Sequence, residues 1–407
     1  MARIAWISDA GRPTGFARAT HEIAERLAGQ YGHEIDVLAV GWDAADPFET
    51  RLKLHRAEAG PARHYMGYDR TVSFLRKVEP DIVFILEDPA ILLRRLLQNP
   101  HDPEQFLRRY RPILAYLPVD GYNMPPDLVN LTKLTNVIAM SRFGQDAFPG
   151  SQLVYHGVDP TVFHEATEEN PITIRSGATL TSKAACREAF GLDPDAFIVI
   201  RIDTNSGRKD WGATFRVMDT YYRYRGTKGT VALWHTKRNA PGHGMDLEML
   251  ISRGTSVGRG KYVITNADNW PIGDVVALMN CADAGITTSR GEGFGLNIAQ
   301  LMALGIPMIG TDCSAITEVI GPGGILTPPD GTMTNPYGVD MKIANVTKMA
   351  HALRELRFNE SYRTELGEKA KAHVLKMFNW DVSAAQVDGF VRAFTEGREA
   401  LVLAQQP

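Results

Sequence analysis

The sequence predicts an α/β protein made of two doubly wound, Rossmann-like domains. At 407 residues the chain is too long for one ordinary hydrophobic core, so two domains of similar size are expected. Each half alternates short apolar segments with segments of helical periodicity, which is typical of parallel sheets covered by helices on both faces. A polar and weakly patterned stretch at residues 164–185 separates the two halves and is predicted to be a linker.

The individual elements follow from apolar runs and their stop signals. Predicted strands of the first half are 4–8, 35–40, 81–86, 112–117 and 136–140, with a helix at 20–28 that ends at Gly29. Predicted strands of the second half are 197–202, 229–234, 262–265, 284–288 and 307–310, with a helix at 296–304 and a helical segment at 360–394 that bends at 378–380. Ligands of such sheets bind in the loops that follow the carboxyl ends of the strands.

Composition narrows the class of protein. Hydrophobic residues make up 44% and charged residues 22% of the chain, which indicates a globular protein. The formal net charge of −3 gives no global reason to expect nucleic acid or an anionic membrane as a partner. The chain opens on a short strand pattern that is unlike a signal peptide, no apolar run reaches membrane-spanning length, and three cysteines lack metal spacing. We therefore expect a cytoplasmic protein with free thiols.

The segment 289–300 is the most informative part of the chain. A predicted strand leads into Glu292, a glycine-rich turn through Gly295, and the first turn of a helix. Unpaired backbone N–H groups and the positive helix end point the same way in such an arrangement, so they favour an anion. A carboxylate beside them can hold sugar hydroxyls, which predicts a sugar diphosphate as ligand. A plain structural turn would explain this segment taken alone.

A second polar cluster, residues 201–210, follows the strand 197–202. Arg208 and Lys209 are adjacent cations on a glycine-containing loop that also carries Asn205. Arg holds phosphate oxygens in a fork and Lys supplies a point charge, so the pair suits a diphosphate leaving group. In isolation the loop reads as an exposed turn; together with Glu292 it favours the diphosphate site.

We expect no metal and no cofactor. Asp193-Pro-Asp195 has the spacing of a carboxylate pair that binds a metal and a sugar diphosphate, but it lies after Gly191 in a predicted turn. The eleven histidines show no convincing ligand spacing. Cationic side chains would then take the place of the metal.

Taken together, the motifs resemble those of the GT-B glycosyltransferases of family four over nearly the whole chain. The matching segments are Glu292-Gly-Phe-Gly-Leu, Ala303-Leu-Gly-Ile-Pro307, Gly310-Thr-Asp312, Glu318-Val-Ile and Tyr155-His-Gly-Val-Asp159. The resemblance implies two domains facing a cleft, at 1–165 and 186–379, with a C-terminal helix at about 380–407 that packs back on the first domain. It also implies a retaining transfer of a hexose from a nucleotide diphosphate sugar.

The resemblance assigns roles in the second domain. Lys209 matches the phosphate-binding lysine and Glu292 the sugar-facing glutamate. The family's paired arginine matches the position of Asp203 or Thr204, so Arg208 or Arg201 would substitute for it. Further donor contacts would come from the backbone and side chains of Asn205, Gly293, Phe294, Gly295, Leu296 and Gln300. Gln300 stands where the family has a second glutamate for the ribose, and a neutral amide accepts hydrogen bonds more weakly than a carboxylate.

Roles in the first domain are less specific. The resemblance places Gly15 over the donor diphosphate, and Asp120 replaces a histidine that reaches the donor sugar, although an Asp-Gly turn explains Asp120 equally well. Glu87 and Asp88 end a strand and would touch the acceptor.

The sequence therefore predicts a metal-independent hexosyltransferase that uses a UDP- or GDP-linked sugar. The acceptor is open: a sugar, a lipid head group, a protein or a modified nucleic-acid base. Alternatives are a catalytically impaired nucleotide-sugar-binding protein, and another GT-B enzyme such as an epimerase or a phosphorylase.

Overall fold

A computed structural model describes residues 1–11, 14–41, 50–57, 66–97, 109–237, 244–253, 261–266 and 270–396. The described residues divide into two compact units. The first unit contains 1–119, 123–157 and the segment from 379 on, and the second contains 120–122 and 158–378.

The first unit is built on a seven-stranded parallel sheet with the strand order β3-β2-β1-β4-β5-β6-β7. All five strands predicted for this half are present. The strands are β1 Arg3–Asp9, β2 Glu34–Val40, β3 Lys53–Arg56, β4 Ile82–Leu86, β5 Ile113–Leu117, β6 Asn136–Ala139 and β7 Gln152–Leu153. The short edge strands β3 and β7 were not predicted, because neither carries a buried apolar run. The order of strands reverses between β1 and β4, the usual place for a ligand in such a sheet.

Helices cover this sheet because the central strands are apolar throughout. Every residue of β4 and β5 is buried. The helices of the first unit are α1 Gly15–Tyr31, α2 Thr71–Val78, α3 Pro89–Leu97, α4 Pro126–Val129, α5 Leu131–Leu134, α6 Arg142–Ala147 and a C-terminal helix described below. The predicted end of the first helix at Gly29 is wrong. The helix runs on to Tyr31 and is capped by Gly32, whose φ of 72° suits glycine and whose N–H bonds to the carbonyl of Leu27.

The last described helix, Trp380–Thr395, belongs to the first unit, as the resemblance implied. Asn379 caps it by accepting hydrogen bonds from the N–H groups of Asp381 and Val382, and this cap is the predicted bend at 378–380. The helix packs against α1, and its buried face includes Trp380 and Val387. Residues 397–407 of the predicted helix lie outside the described residues.

The second unit has a six-stranded parallel sheet with the order β12-β11-β10-β13-β14-β15. The strands are β10 Phe197–Ile202, β11 Thr230–His235, β12 Lys261–Thr265, β13 Ala284–Ile286, β14 Met308–Thr311 and β15 Gly324–Thr327. Five of them were predicted to within two residues at each end, because each carries an apolar run. The order reverses between β10 and β13. The two doubly wound sheets confirm the predicted fold class.

The helices of the second unit, numbered on from the first, are α7 Lys183–Ala189, α8 Trp211–Tyr222, α9 Leu247–Arg253, α10 Ile272–Asn280, α11 Leu296–Ala303, α12 Ser314–Ile320, α13 Val346–Phe358 and α14 Glu360–Met377. The C-terminal helix of the first unit, Trp380–Thr395, is numbered α15. Two antiparallel hairpins add to the unit: β8 Ile172–Thr173 with β9 Thr179–Leu180, and β16 Gly331–Thr334 with β17 Asp340–Ile343.

The predicted domain boundary needs correction. The second unit begins at Val158, and the stretch 164–185 is part of it instead of a linker. This stretch is tied to helix α10, since the N–H of Ala166 donates to Asn280 at 2.9 Å and the N–H of Arg175 donates to Asp274 at 2.8 Å. The sequence pattern did not indicate these contacts, because backbone N–H groups make them and the side chains of the stretch are mostly polar.

No helix among the described residues is both long and apolar enough to cross a membrane. The cysteines Cys186, Cys281 and Cys313 are free and buried. The cytoplasmic location stays a prediction.

Candidate active site

The topology of the second sheet brings the two predicted clusters together. Arg208 and Lys209 follow β10, and Glu292 follows β13. These two strands are neighbours at the point where the strand order reverses. Residues 83 positions apart in the chain therefore meet at one sheet edge, where open α/β sheets bind their ligands.

Glu292 is the centre of this cluster. Its side chain is only 7% exposed, yet both of its oxygens contact cations: Lys209 Nζ lies 2.6 Å from Oε1 and Arg208 NH1 lies 2.9 Å from Oε2. Burial alone would raise the pKa of Glu292, but the charges of Arg208 and Lys209 outweigh it and hold that pKa well below its usual value. Glu292 is therefore a carboxylate at neutral pH.

Each cation also holds a second carboxylate. Lys209 Nζ lies 2.7 Å from Asp203, and Arg208 Nε lies 3.1 Å from Asp120. Asp120 and Arg208 are the accessible end of this chain of charges, with side chains 26% and 29% exposed. Burial raises the pKa of Asp120 and the charge of Glu292 adds to this rise, while Arg208 opposes it. A ligand could reach the Arg208 end most directly.

Arg201 stabilises the loop that carries Lys209, and it does not take the place of Arg208 beside Glu292. It is 1% exposed and lies over the ring of Trp211 at 4.3 Å. Its guanidinium donates to Thr288 at 2.7 Å, to Asp203 at 3.0 Å and to the carbonyl of Lys209 at 2.5 Å. Buried charges of this kind are retained when hydrogen bonds compensate their desolvation. Of the two arginines considered from the sequence, Arg208 is the one that contacts Glu292.

A second arginine fastens the two loops to each other. Arg290 donates from Nε and NH2 to Asp210, at 3.1 and 3.0 Å, and its N–H donates to the carbonyl of Arg208 at 3.0 Å. Asp210 is itself the N-cap of α8, with a left-handed φ of 46°. The positions of Arg208 and Lys209 are thus fixed from both sides.

The glycines of the turn are required by close approach and by backbone conformation. A Cβ atom at Gly291 would lie 1.6 Å from the carbonyl oxygen of Asp120. Gly295 has a φ of 99° and is the N-cap of α11, beside the side chain of Glu292. The backbone N–H of Gly293 lies near Asp120 and opposes the rise in the pKa of that carboxyl. Leu296 opens α11, whose first-turn N–H groups point out of the helix end.

The other donor-binding residues predicted in this unit lie differently. Asn205 is buried and its amide holds the backbone of Lys237 and Met245, at 3.0 and 2.7 Å, so its two donors serve the fold. This use corrects its assignment to the donor site. Phe294 is buried with its ring 5.0 Å from that of Phe378, so only its backbone suits a donor contact. Gln300 is buried on α11, four residues beyond Leu296.

The site residues predicted in the first unit lie in different surroundings. Glu87 is buried in an ion pair, with both oxygens held by Arg95, so it does not present a free carboxylate to an acceptor. Asp88 is half-buried at the start of α3, and Gly15 is the exposed first residue of α1. These two follow β4 and β1, the neighbouring strands at the switch point of the first sheet.

Among the described residues, no group of three or more His, Cys, Asp or Glu side chains has an arrangement that could hold a metal ion. The carboxylates at the site are instead paired with Arg208 and Lys209.

Comparison with known proteins finds a family match within the second unit. Residues 259–356, which include Glu292 and α11, match the family model of the glycosyl transferases group 1. The similarity to that family therefore lies within the second unit. A segment of 113 residues, 28% of this chain, is 30% identical to the MMP α-(1→4)-mannosyltransferase of Mycolicibacterium hassiacum. The matched segment spans 25% of that relative's length.

Solved structures are similar to this chain over both units. The sucrose-phosphate synthase of Thermosynechococcus elongatus is similar over 97% of this chain and 99% of its own, with a TM-score of 0.71 and 16% identity. Anabaena HepE in complex with UDP and glucose is similar over 97% and 100%, with a TM-score of 0.68 and 16% identity. At these identities the likeness shows the fold, which is GT-B, as the motifs implied.

Sequence reasoning missed several members of the site. Asp203 was noted only as a departure from the family pattern, and Arg290, Tyr122 and Ser314 were not considered. The sequence alone held no usable signal for Asp203, because the burial of its partner Arg201 appears only in the structure. For Tyr122 and Ser314 no signal exists in the sequence, because their contacts join segments 192 residues apart.

Proposed function

We propose that this protein is a retaining, metal-independent hexosyltransferase that takes a hexose from a UDP- or GDP-linked sugar. The observation that carries the proposal is the contact of Lys209 and Arg208 with Glu292 beside the N-terminus of α11. Fixed positive charge, a permanently ionised carboxylate and outward-pointing N–H groups at one sheet edge suit a diphosphate linked to a sugar.

The residues take the following roles. Arg208 and Lys209 stabilise the negative charge that develops on the leaving diphosphate, in the way a metal ion would. Glu292 accepts hydrogen bonds from sugar hydroxyls, and its lowered pKa keeps it an acceptor. The backbone of Gly293 to Leu296 adds donors, and Gln300 is assigned to the ribose. Asp120, with its raised pKa, lies beside Arg208 to contact the donor sugar or the acceptor hydroxyl.

The bond changes are those of a retaining transfer. The bond between the sugar's anomeric carbon and the phosphate oxygen breaks, and a bond to the acceptor oxygen forms on the same face. The acceptor's proton passes to the departing phosphate oxygen, so the step needs no separate basic residue. Retention rests on the resemblance to family four.

A panel of UDP-, GDP- and ADP-sugars tests the proposal. We expect one donor to release free sugar and nucleotide slowly without added metal, and Glu292→Gln to reduce that release by at least about tenfold, as loss of a charged hydrogen-bond partner implies. Binding of a donor without turnover, unchanged in Glu292→Gln, would instead favour a nucleotide-sugar-binding protein, which the neutral Gln300 makes the second candidate. Mass spectrometry of candidate acceptors incubated with the active donor then identifies the acceptor class.

A further inference from the structure

The backbone of Glu292 is held by the first residues of helix α12, which the proposed mechanism does not use. The N–H of Glu292 donates to Ser314 Oγ at 2.9 Å, and its carbonyl accepts from the N–H of Ala315 at 3.3 Å. Ser314 is 4% exposed and has a φ of 47°. This left-handed conformation is costly for a residue other than glycine, and it persists only where the surroundings impose it.

Tyr122 imposes this conformation from a separate segment of the chain. The N–H of Ser314 donates to the hydroxyl of Tyr122 at 3.0 Å. Tyr122 is fixed in turn by two backbone bonds with Asp340, at 2.8 and 2.9 Å, and by the ammonium group of Lys342, 4.7 Å from the centre of its ring. The hairpin β16–β17 thereby locks the tyrosine in place.

The same tripeptide, Asp120–Tyr122, touches both sides of the Glu292 turn. Its first residue contacts Arg208, and the carbonyl of that residue lies against Gly291. Its third residue reaches Glu292 through Ser314. Shifting the tripeptide would therefore move the carboxylate that faces the sugar relative to the cations that face the diphosphate.

We propose that Tyr122 and Ser314 are positioning residues that set the backbone of Glu292 for the donor sugar. The inference rests on the proposed function, since it assumes that Glu292 binds sugar hydroxyls. It predicts a division of effects: losing either hydroxyl group weakens recognition of the sugar and leaves recognition of the diphosphate intact, because Lys209 is held independently by Asp203.

The experiment compares the affinities for UDP and UDP-glucose, and for GDP and GDP-mannose, by calorimetry. The ratio of the two affinities in each pair measures what the sugar contributes. In Tyr122→Phe we expect this ratio to fall about fivefold, the effect of one hydrogen bond, with the affinity for the bare diphosphate within about twofold of wild type. Tyr337→Phe, on the exposed tip of the same hairpin, is the matched control and should leave both affinities unchanged.

Two variants of Ser314 separate positioning from stability. Ser314→Ala and Ser314→Gly both remove the hydroxyl, but glycine relieves the backbone strain, so the glycine variant should unfold at the higher temperature. We expect the same loss of the sugar contribution in both. A loss that follows the unfolding temperature instead, or a Tyr122→Phe protein with an unchanged ratio, overturns the inference.

Hydrogen exchange supplies a readout that does not depend on a substrate. The amide of Glu292 should exchange faster in Ser314→Ala than in wild type, because its acceptor is gone. If the wild-type protein binds none of the four probes, the proposed function fails. If wild type shows a sugar contribution that the variants keep, only the positioning inference fails.

Discussion

At the residue scale, the site is a chain of alternating charges. Asp203, Lys209, Glu292, Arg208 and Asp120 contact one another in that order. The sequence predicted four of these five, because adjacent cations after a strand and a carboxylate in a glycine-rich turn are each unusual enough to notice. It did not predict which arginine would join, because Arg201 near the end of β10 and Arg208 in the following loop are close in the sequence, and only the structure shows that Arg208 contacts Glu292.

Lys209→Ala should weaken binding of UDP and GDP by roughly 1.5–3 kcal/mol, the range for hydrogen bonds to charged groups. The loss follows because the ammonium group is held ready by Asp203 and Glu292 at 2.7 and 2.6 Å. Calorimetric titration measures the change. Lys348→Ala, an exposed lysine on α13, is the control and should bind like wild type. An unaltered affinity in Lys209→Ala would rule out the phosphate role.

The lowered pKa of Glu292 predicts how stability depends on pH. A carboxylate whose pKa is lower in the folded than in the unfolded protein stabilises the fold above its unfolded pKa, about 4.3, and loses that contribution as the pH falls towards its folded pKa. The difference in unfolding free energy between wild type and Glu292→Gln should be constant from about pH 7 to pH 5 and shrink in more acidic solution. Urea unfolding across this range measures it, and a difference that grows on acidification contradicts the assignment.

At the element scale, the site residues lie on loops and turns, and the strands and helices hold those loops in place. The predicted strands were found because buried parallel strands are apolar runs, and α11 was found from its glycine start and glycine end. The hairpin β16–β17 was missed because each strand has only four residues, and the alternation of Met341 and Ile343 in β17 is too short to stand out. The hairpin matters because it pairs with the tripeptide Asp120–Tyr122. No local sequence pattern encodes this contact.

Gly291→Ala tests how closely the tripeptide and the turn must approach. The new methyl group would overlap the backbone oxygen of Asp120, so one segment has to shift. We expect the melting temperature and the affinity for UDP and GDP both to fall. Gly207→Ala is the matched control in the neighbouring loop, where a Cβ atom meets nothing within 4 Å and φ is not positive. Equal behaviour of the two variants in thermal unfolding and titration would disprove the packing argument.

At the scale of the whole molecule, the chain returns to its first unit after completing the second. The segment from 379 on joins residues 1–157 through α15, whose Asp388 lies 2.7 Å from the buried His33, and the N–H of Ala2 donates to the same imidazole at 3.1 Å. The chain's second half therefore helps to stabilise the first unit.

Val387→Ala should destabilise the first unit by about 2 kcal/mol, because this side chain of α15 is fully buried and its loss leaves a cavity. Val382→Ala removes the same atoms from a side chain that is 56% exposed and should have little effect. Hydrogen exchange in α1, against which α15 packs, reports the stability of this unit. If both variants leave exchange in α1 unchanged, the last helix does not support the first unit.

The sequence by itself determined two parallel sheets, most of their strands and the two charged loops, because burial on both faces demands apolar runs and clustered charges after a strand are visible in the sequence. Tertiary structure alone decided that β10 and β13 lie side by side, that Glu87 forms an ion pair with Arg95, and that Tyr122 contacts Ser314. The reason is physical: a residue's burial and backbone conformation leave a mark on the local pattern, whereas a hydrogen bond between distant segments depends on where the whole chain places both partners.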